Sequence, residues 1–115
     1  MDIKTFYETV GGSYEEILGR FMQESRVLKF VRHFPADGSF ALLKTSLAEG
    51  NCEEAFRAAH TLKGIAQNLS FTALYTQVEP LTNILRGGSL EVGAYLTETE
   101  RLYNLTVEAI AQLED

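Results

Sequence analysis

The sequence predicts an all-α fold, an antiparallel up-down four-helix bundle with short additional N-terminal helices. Apolar residues recur at intervals of three and four along most of the chain, and only two prolines are present. No segment shows the apolar-polar alternation of a strand bounded by hairpin turns. With 115 residues, of which 45% are hydrophobic, residues 1–115 fit a single domain with a substantial core.

Capping and turn residues divide the chain into helices. The expected helix starts are Asp2, Ser13, Asp37 or Ser39, Asn51, Ser70 and residues 89–93. The first five helices are expected to end at Gly11-Gly12, Pro35, Gly50, Leu69 and Gly87-Gly88. The second of these helices would extend from Ser13 to Pro35, with Gly19 marking a bend or a short break. Pro80 lies inside the helix after Ser70, so we expect a kink or a break over residues 76–80.

Charge and cysteine content exclude several classes of protein. A formal net charge of -6 argues against a nucleic-acid partner, which needs clustered lysine and arginine, and against attraction to anionic lipid. A single cysteine, Cys52, excludes an intramolecular disulfide. No apolar run is long enough to span a membrane, and the first residues do not form a signal peptide. We therefore expect a cytoplasmic protein without a membrane partner.

The segment from Asn51 to Ser70 is the most informative. Small or apolar residues at alternating intervals of three and four form the inner seam of a bundle helix: Cys52, Ala55, Ala59, Leu62, Ala66 and Leu69. A second stripe lies beside it and is rotated away from the core: Phe56, His60, Lys63, Gly64 and Gln67. This arrangement predicts that His60 is at least partly exposed, one turn before Lys63 and Gly64.

These residue types suit phosphoryl transfer. A neutral imidazole is a nucleophile near neutral pH, and a lysine ammonium can stabilise charge on the transferred oxygens. Glycine inside a helix costs about 1 kcal/mol relative to alanine, so Gly64 calls for a reason such as access for a partner. The chain has neither a P-loop nor an acidic cluster for Mg²⁺. The phosphoryl donor and any metal should therefore come from a partner, and no cofactor is expected.

The motif Ala59-His60-Thr61-Leu62-Lys63-Gly64 resembles the His-x-Leu-Lys-Gly signature of histidine-containing phosphotransfer (HPt) domains. The likeness extends to Leu47-Ala48-Glu49-Gly50-Asn51, which is similar to the turn before the phosphorylated helix, and to Asn68-Leu69-Ser70 at the end of that helix. It covers roughly residues 39–88.

The resemblance implies a phosphorelay intermediate without ATP-dependent kinase activity of its own. His60 would accept a phosphoryl group from a receiver-domain aspartate and pass it to another receiver, Lys63 would assist electrostatically, and Gly64 would clear space. Arg86 falls where some members carry a second basic residue. The implied partners are response-regulator receivers and a hybrid sensor kinase, with Mg²⁺ on the receiver only, and a monomer is expected.

Two positions depart from the family pattern. Many members have glycine at the position of Ser70, and some have a glutamine at the position of Thr82, where it hydrogen-bonds the imidazole. Threonine is shorter, so here that bond would be made differently or through water. Both departures concern the tuning of His60 rather than the nucleophile itself.

Structural interpretations stay open for several of these residues. Gly64 could serve close helix packing, Gln67 could be an ordinary polar rim residue, and Arg86 could complement the dipole at a helix C-terminus. Phe56 could belong to the core or to an apolar docking patch. His33 has the same C-terminal interpretation as Arg86.

Three other functions remain alternatives. A non-catalytic helical adaptor would bind receiver or kinase domains without carrying phosphate. A phosphoacceptor module of a chemotaxis-type kinase would be phosphorylated directly by a kinase domain, although no ATP-binding segment is present. A metal carrier or bundle enzyme is disfavoured because the spacings of Cys52, His33 and His60 match no standard ligand pattern.

Overall fold

The computed structural model describes residues 1–114, and the regular secondary structure in this range is helical. The elements are α1 (Ile3–Val10), α2 (Tyr14–Phe21), α3 (Glu24–His33), a 3₁₀ turn (Phe34–Ala36), α4 (Ser39–Ala48), α5 (Cys52–Asn68), α6 (Thr72–Arg86) and α7 (Gly93–Ile110). No strand occurs within residues 1–114. The predicted all-α fold class is confirmed.

Helices α4 to α7 form the bundle. Helix α5 lies between α4 and α6, and α6 also packs against α7. Side chains join α7 to α4, since the rings of Phe40 and Tyr103 stack with centroids 4.5 Å apart and Lys44 Nζ lies 2.6 Å from a Glu100 carboxylate oxygen. Phe40 precedes Lys44 whereas Tyr103 follows Glu100, so α4 and α7 run in opposite directions, as in an antiparallel bundle.

The short N-terminal helices cover the end of the bundle where α5 finishes. Helix α1 packs on α7, and its Phe6 and Tyr7 rings meet Phe71 at centroid distances of 5.9 and 5.8 Å. Phe34 joins the same cluster, with its ring centroid 5.2 Å from that of Phe71. The Tyr7 hydroxyl donates a buried hydrogen bond of 2.7 Å to the Leu69 carbonyl. This aromatic cluster fixes the C-terminal end of α5.

Three predicted helix caps are confirmed. The side chains of Asp2, Ser13 and Asn51 each accept a hydrogen bond from a backbone N–H three residues further on. Each cap satisfies an N–H that would otherwise have no partner within its helix. Asn51 thereby sets the first residue of α5, and with it the position of every later residue on that helix.

The predicted break at Gly19 is wrong. Gly19 lies inside α2, and the chain breaks three residues later at Met22, whose φ of 71° is left-handed and whose side chain is 75% exposed. On a straight helix Val27 would lie about 80° around the axis from Ile17. The break allows both residues, which are fully buried, to face the core.

Ser70 does not cap α6, contrary to prediction. Phe71 occupies the N-cap position, and Ser70 has a left-handed φ of 57°. This conformation is the one that glycine adopts most readily. The Ser70 hydroxyl instead donates to a Glu16 carboxylate oxygen at 2.7 Å.

Of the kink or break expected over residues 76–80, the break is wrong, because α6 continues from Thr72 to Arg86. Proline leaves the carbonyl four residues earlier without its helical donor. That carbonyl belongs to Thr76, an exposed residue, so water can reach it. Helix α6 therefore tolerates Pro80, because the unpaired carbonyl lies on its solvent-exposed side.

We expect Tyr7→Phe to lower the free energy of unfolding by about 1 to 2 kcal/mol at neutral pH, because the Leu69 carbonyl loses a buried donor. Burial also raises the pKa of the Tyr7 phenol above its ordinary value. An unfolded tyrosine ionises near pH 10, so the contribution of Tyr7 is full below that pH and is lost as the pH rises further.

Urea unfolding of parent and variant at neutral pH and at about pH 11 measures both effects. The variant should lose less stability than the parent between the two conditions. Equal unfolding midpoints at neutral pH would contradict a stabilising role for this hydrogen bond.

Candidate functional site

His60 lies on the exposed face in the middle of α5. Ala58, Ala59 and Leu62, at neighbouring positions of the helix that face away from His60, are buried. The imidazole makes no hydrogen bond to any residue in 1–114, and its recorded ring contact is with Phe56, at a centroid distance of 5.8 Å and an interplanar angle of 29°. A ring in this position is open to a reactant from solvent.

Five of the six residues predicted to form the inner seam of α5 are buried, and Cys52 is the exception. Ala55, Ala59, Leu62 and Ala66 are fully buried, and Leu69 is nearly so. Most of these side chains are small, so α4 and α6 can both approach the α5 backbone closely. Cys52 at the start of the seam is half-buried, and its thiol lies 3.5 Å from the Leu85 carbonyl.

Lys63 follows His60 by one turn and is half-buried. No carboxylate in the described part of the chain pairs with its ammonium group. Residues three apart on a helix are neighbours on its surface, so a phosphoryl group on His60 would lie within reach of this flexible cation. The predicted arrangement of the histidine and the lysine on adjoining positions is present.

Gly64 is exposed, and a Cβ added to it would meet no atom within 4 Å. Close packing against another helix therefore does not explain this glycine, which removes the structural alternative considered from the sequence. The backbone beside His60 is bare on its solvent side. The geometry leaves room for an incoming group without any rearrangement of the chain.

Thr82 does not face the imidazole as a hydrogen-bonding partner. Its side chain is completely buried, and its hydroxyl donates at 2.7 Å to the Val78 carbonyl of its own helix. The Thr82 hydroxyl makes no direct hydrogen bond to His60, because its side chain is short and its proton is donated to Val78. Orientation of the imidazole must come from elsewhere.

Arg86 and Gln67 lie on either side of the group formed by His60, Lys63 and Gly64. The Arg86 guanidinium lies over the Phe56 ring, 5.4 Å from its centroid, and donates to the Asn83 side chain at 2.9 Å. Gln67 is exposed at the rim of a shallow cavity of about 210 Å³ that Ser70 also lines. Arg86 is thus connected to His60 through Phe56, whereas the Gln67 side chain makes no hydrogen bond within residues 1–114.

Sequence reasoning missed the role of Arg20 at the end of α5. Its Nη1 donates to the Ser70 hydroxyl at 3.1 Å and to the Gln67 carbonyl at 3.4 Å, and it also contacts the Asn68 carbonyl. The Ser70 hydrogen bond, with help from Arg20, lowers the pKa of the Glu16 carboxyl. A Glu-Arg pair four residues apart was visible in α2, but nothing in the sequence linked it to α5.

Neither a metal site nor a membrane span is found over residues 1–114. No three histidine, cysteine or acidic side chains in this range are grouped so that they could hold a metal ion. No helix in the same range combines the length and apolar character that crossing a bilayer requires. His33 is exposed at the end of α3, whereas Cys52 lies on another helix, at the start of α5.

Comparison with known proteins gives one match. A protein-family model described as "Hpt domain" matches residues 16–115, which includes every helix from α3 to α7 and nearly all of α2. No curated protein and no solved structure matches the chain significantly. The matched region contains His60, Lys63 and Gly64, whereas α1 lies outside it.

We expect Gly64→Ala to raise the free energy of unfolding by up to about 1 kcal/mol, because alanine is the better helix former and the new methyl group meets open space. Urea unfolding measures the change. Gly19→Ala is a matched control, since Gly19 is also a helical glycine with no atom within 4 Å of an added Cβ. A loss of stability at position 64 alone would indicate a packing role for Gly64.

Proposed function

The chain belongs to the Hpt domain family, and from this premise we propose that His60 carries a phosphoryl group between receiver domains in a two-component phosphorelay. In this role the chain accepts the group from the aspartyl phosphate of one receiver and passes it to the aspartate of another. The single observation that best supports the proposal is the exposed imidazole of His60 on a regular helix.

The proposed reaction is a reversible exchange of one bond to phosphorus. The lone pair of an unprotonated imidazole nitrogen attacks the phosphorus atom, a P–N bond forms, and the P–O bond to the aspartate breaks. The aspartate leaves as a carboxylate and stays on its receiver. A proton on the other ring nitrogen is free to pass to water, because no protein group in residues 1–114 hydrogen-bonds the imidazole.

Lys63 and Gly64 have complementary roles in this proposal. The Lys63 ammonium stabilises negative charge on the phosphoryl oxygens during transfer and on the phosphohistidine. Gly64 leaves the solvent side of α5 bare, so that the receiver can bring its phosphoryl group close to the ring. An added methyl group would stand in that approach, and so the more stable Gly64→Ala variant should accept phosphate more slowly.

The partner supplies the remaining parts of the reaction. We assign the Mg²⁺ to the receiver, and no cofactor to this chain. The proposed partners are response-regulator receivers and a hybrid sensor kinase, and the proposed working form is a cytoplasmic monomer. The acidic surface, with a net charge of -6, suits protein partners better than nucleic acid.

We expect His60→Gln to abolish transfer, because glutamine has about the same size and polarity but no nucleophilic nitrogen. The measurement mixes the protein with receivers that carry radiolabelled phosphate and follows the label on a gel. His33→Gln serves as the control, since His33 is exposed at the end of α3. Equal labelling of the parent and the His60 variant would refute the proposal.

A further variant, His60→Ala, tests the adaptor alternative. In the phosphocarrier proposal, receiver binding continues after His60→Ala but signalling through the relay stops. If the chain were an adaptor, His60→Ala would leave both partner binding and signalling intact. Calorimetric binding to a receiver, together with a relay output in cells, separates these two functions.

We expect Lys63→Met to lower the rate of phosphoryl transfer by about tenfold or more, because methionine keeps the aliphatic stem but removes the cation. Lys63→Arg should restore much of the rate, since it restores the charge. Rapid-quench measurements with saturating phosphorylated receiver give the rate. A Lys63→Met variant that transfers as fast as the parent would remove Lys63 from the site.

A further inference from the structure

We propose that Phe56 is a positioning residue that holds the His60 imidazole in its reactive orientation, and that Arg86 in turn secures Phe56. This inference rests on the proposed function, because it concerns how the same histidine is prepared for transfer. It adds two residues to the site that act on the nucleophile without touching the phosphoryl group.

The imidazole of His60 has few other restraints. It is exposed, it makes no hydrogen bond to residues 1–114, and the Thr82 hydroxyl is buried and bonded to Val78. Its ring contact is with Phe56, one turn earlier on α5, and the two rings stack at 29° with centroids 5.8 Å apart. Stacked rings exclude rotamers that would separate them, so this contact restricts both side-chain torsions of His60.

Phe56 is itself well restrained. It is half-buried, on the side of α5 that meets α6, and it lines a cavity of about 290 Å³ together with Leu85 and Arg86. The Arg86 guanidinium lies over the Phe56 ring, 5.4 Å from its centroid, in a cation–π contact. Asn83 fixes the guanidinium by accepting a hydrogen bond of 2.9 Å. The ring that supports the imidazole is therefore held from the neighbouring helix.

Orientation matters because transfer needs the imidazole nitrogen in line with the breaking P–O bond. On a helix, a freely rotating imidazole samples the two χ1 wells that the preceding turn allows and two χ2 orientations, and only some of these states direct a nitrogen towards the bare backbone at Gly64. A stack with Phe56 keeps the ring in one of these states before any receiver arrives. The stack thus replaces the side-chain hydrogen bond that Thr82 does not make.

The test uses Phe56→Leu, which removes the ring but keeps an apolar side chain, and Phe56→Tyr, which keeps the ring. Two-dimensional NMR of the full, unphosphorylated chain reports the state of His60 through its ring-proton shifts and its χ1 couplings. In Phe56→Leu we expect the ring protons to move downfield, towards the values of an unstructured peptide, and the couplings to average. Phe56→Tyr should retain the shifts and couplings of the parent.

Reactivity is measured with phosphoramidate, a small donor from which the imidazole takes the phosphoryl group as the P–N bond of the donor breaks and ammonia leaves. This donor needs no docking surface, so it separates positioning from receiver binding. We expect Phe56→Leu to react about twofold to fourfold more slowly, in line with the number of rotamers that become accessible, and Phe56→Tyr to react like the parent. Arg86→Met should slow the reaction less than Phe56→Leu.

Tyr95→Leu is the matched control, because Tyr95 is an exposed aromatic residue on α7, which packs mainly against α6 and α1. It should leave the His60 shifts and the phosphoramidate rate unchanged. Urea unfolding of each variant identifies any loss of rate that follows from loss of folding. Retention by Phe56→Leu of the parent's shifts and rate would overturn the positioning role while leaving the phosphocarrier function intact. Failure of the parent itself to become labelled on His60 would instead refute the proposed function.

Discussion

The rotation of α5 about its own axis is the constraint on which the site depends. Three fully buried residues of the seam, Ala55, Ala59 and Leu62, fix that rotation, because a turn of the helix in either direction would expose them and bury polar groups. His60 and Gly64 then face solvent as a consequence of core packing. The chemistry of the exposed face is therefore controlled by side chains that never touch it.

The two ends of α5 are fixed by different kinds of contact. The Asn51 side chain caps the start of the helix locally, three residues from its donor. The other end is held by two residues distant in sequence. Tyr7 donates to the Leu69 carbonyl and Arg20 donates to the Gln67 carbonyl. Such long-range bonds add stiffness to a helix whose middle must stay regular while one face remains uncovered. Helix α1, which supplies Tyr7, lies outside the family match, yet it contributes to this support.

Local patterns in the sequence were sufficient to predict the helical fold, the caps at Ser13 and Asn51, and the exposure of His60. These features depend on residues a few positions apart, whose geometry a regular helix defines. The break at Met22 and the left-handed turn at Ser70 were not predictable in the same way, because each depends on where a distant element packs. The Arg20 contact with Ser70 joins residues 50 positions apart, and the cation–π contact of Arg86 with Phe56 depends on the register between two helices.

The open space beside Gly64 has a consequence for selectivity. A concave pocket can reject a ligand by shape, but a bare stretch of helix backbone has no walls and cannot. The reactive centre therefore cannot by itself tell one receiver from another. Discrimination among receivers would have to come from the side chains that surround it, and these could diverge between related proteins while the transfer chemistry stayed the same. Under the proposed function, partner choice and catalysis would be encoded in separate residues.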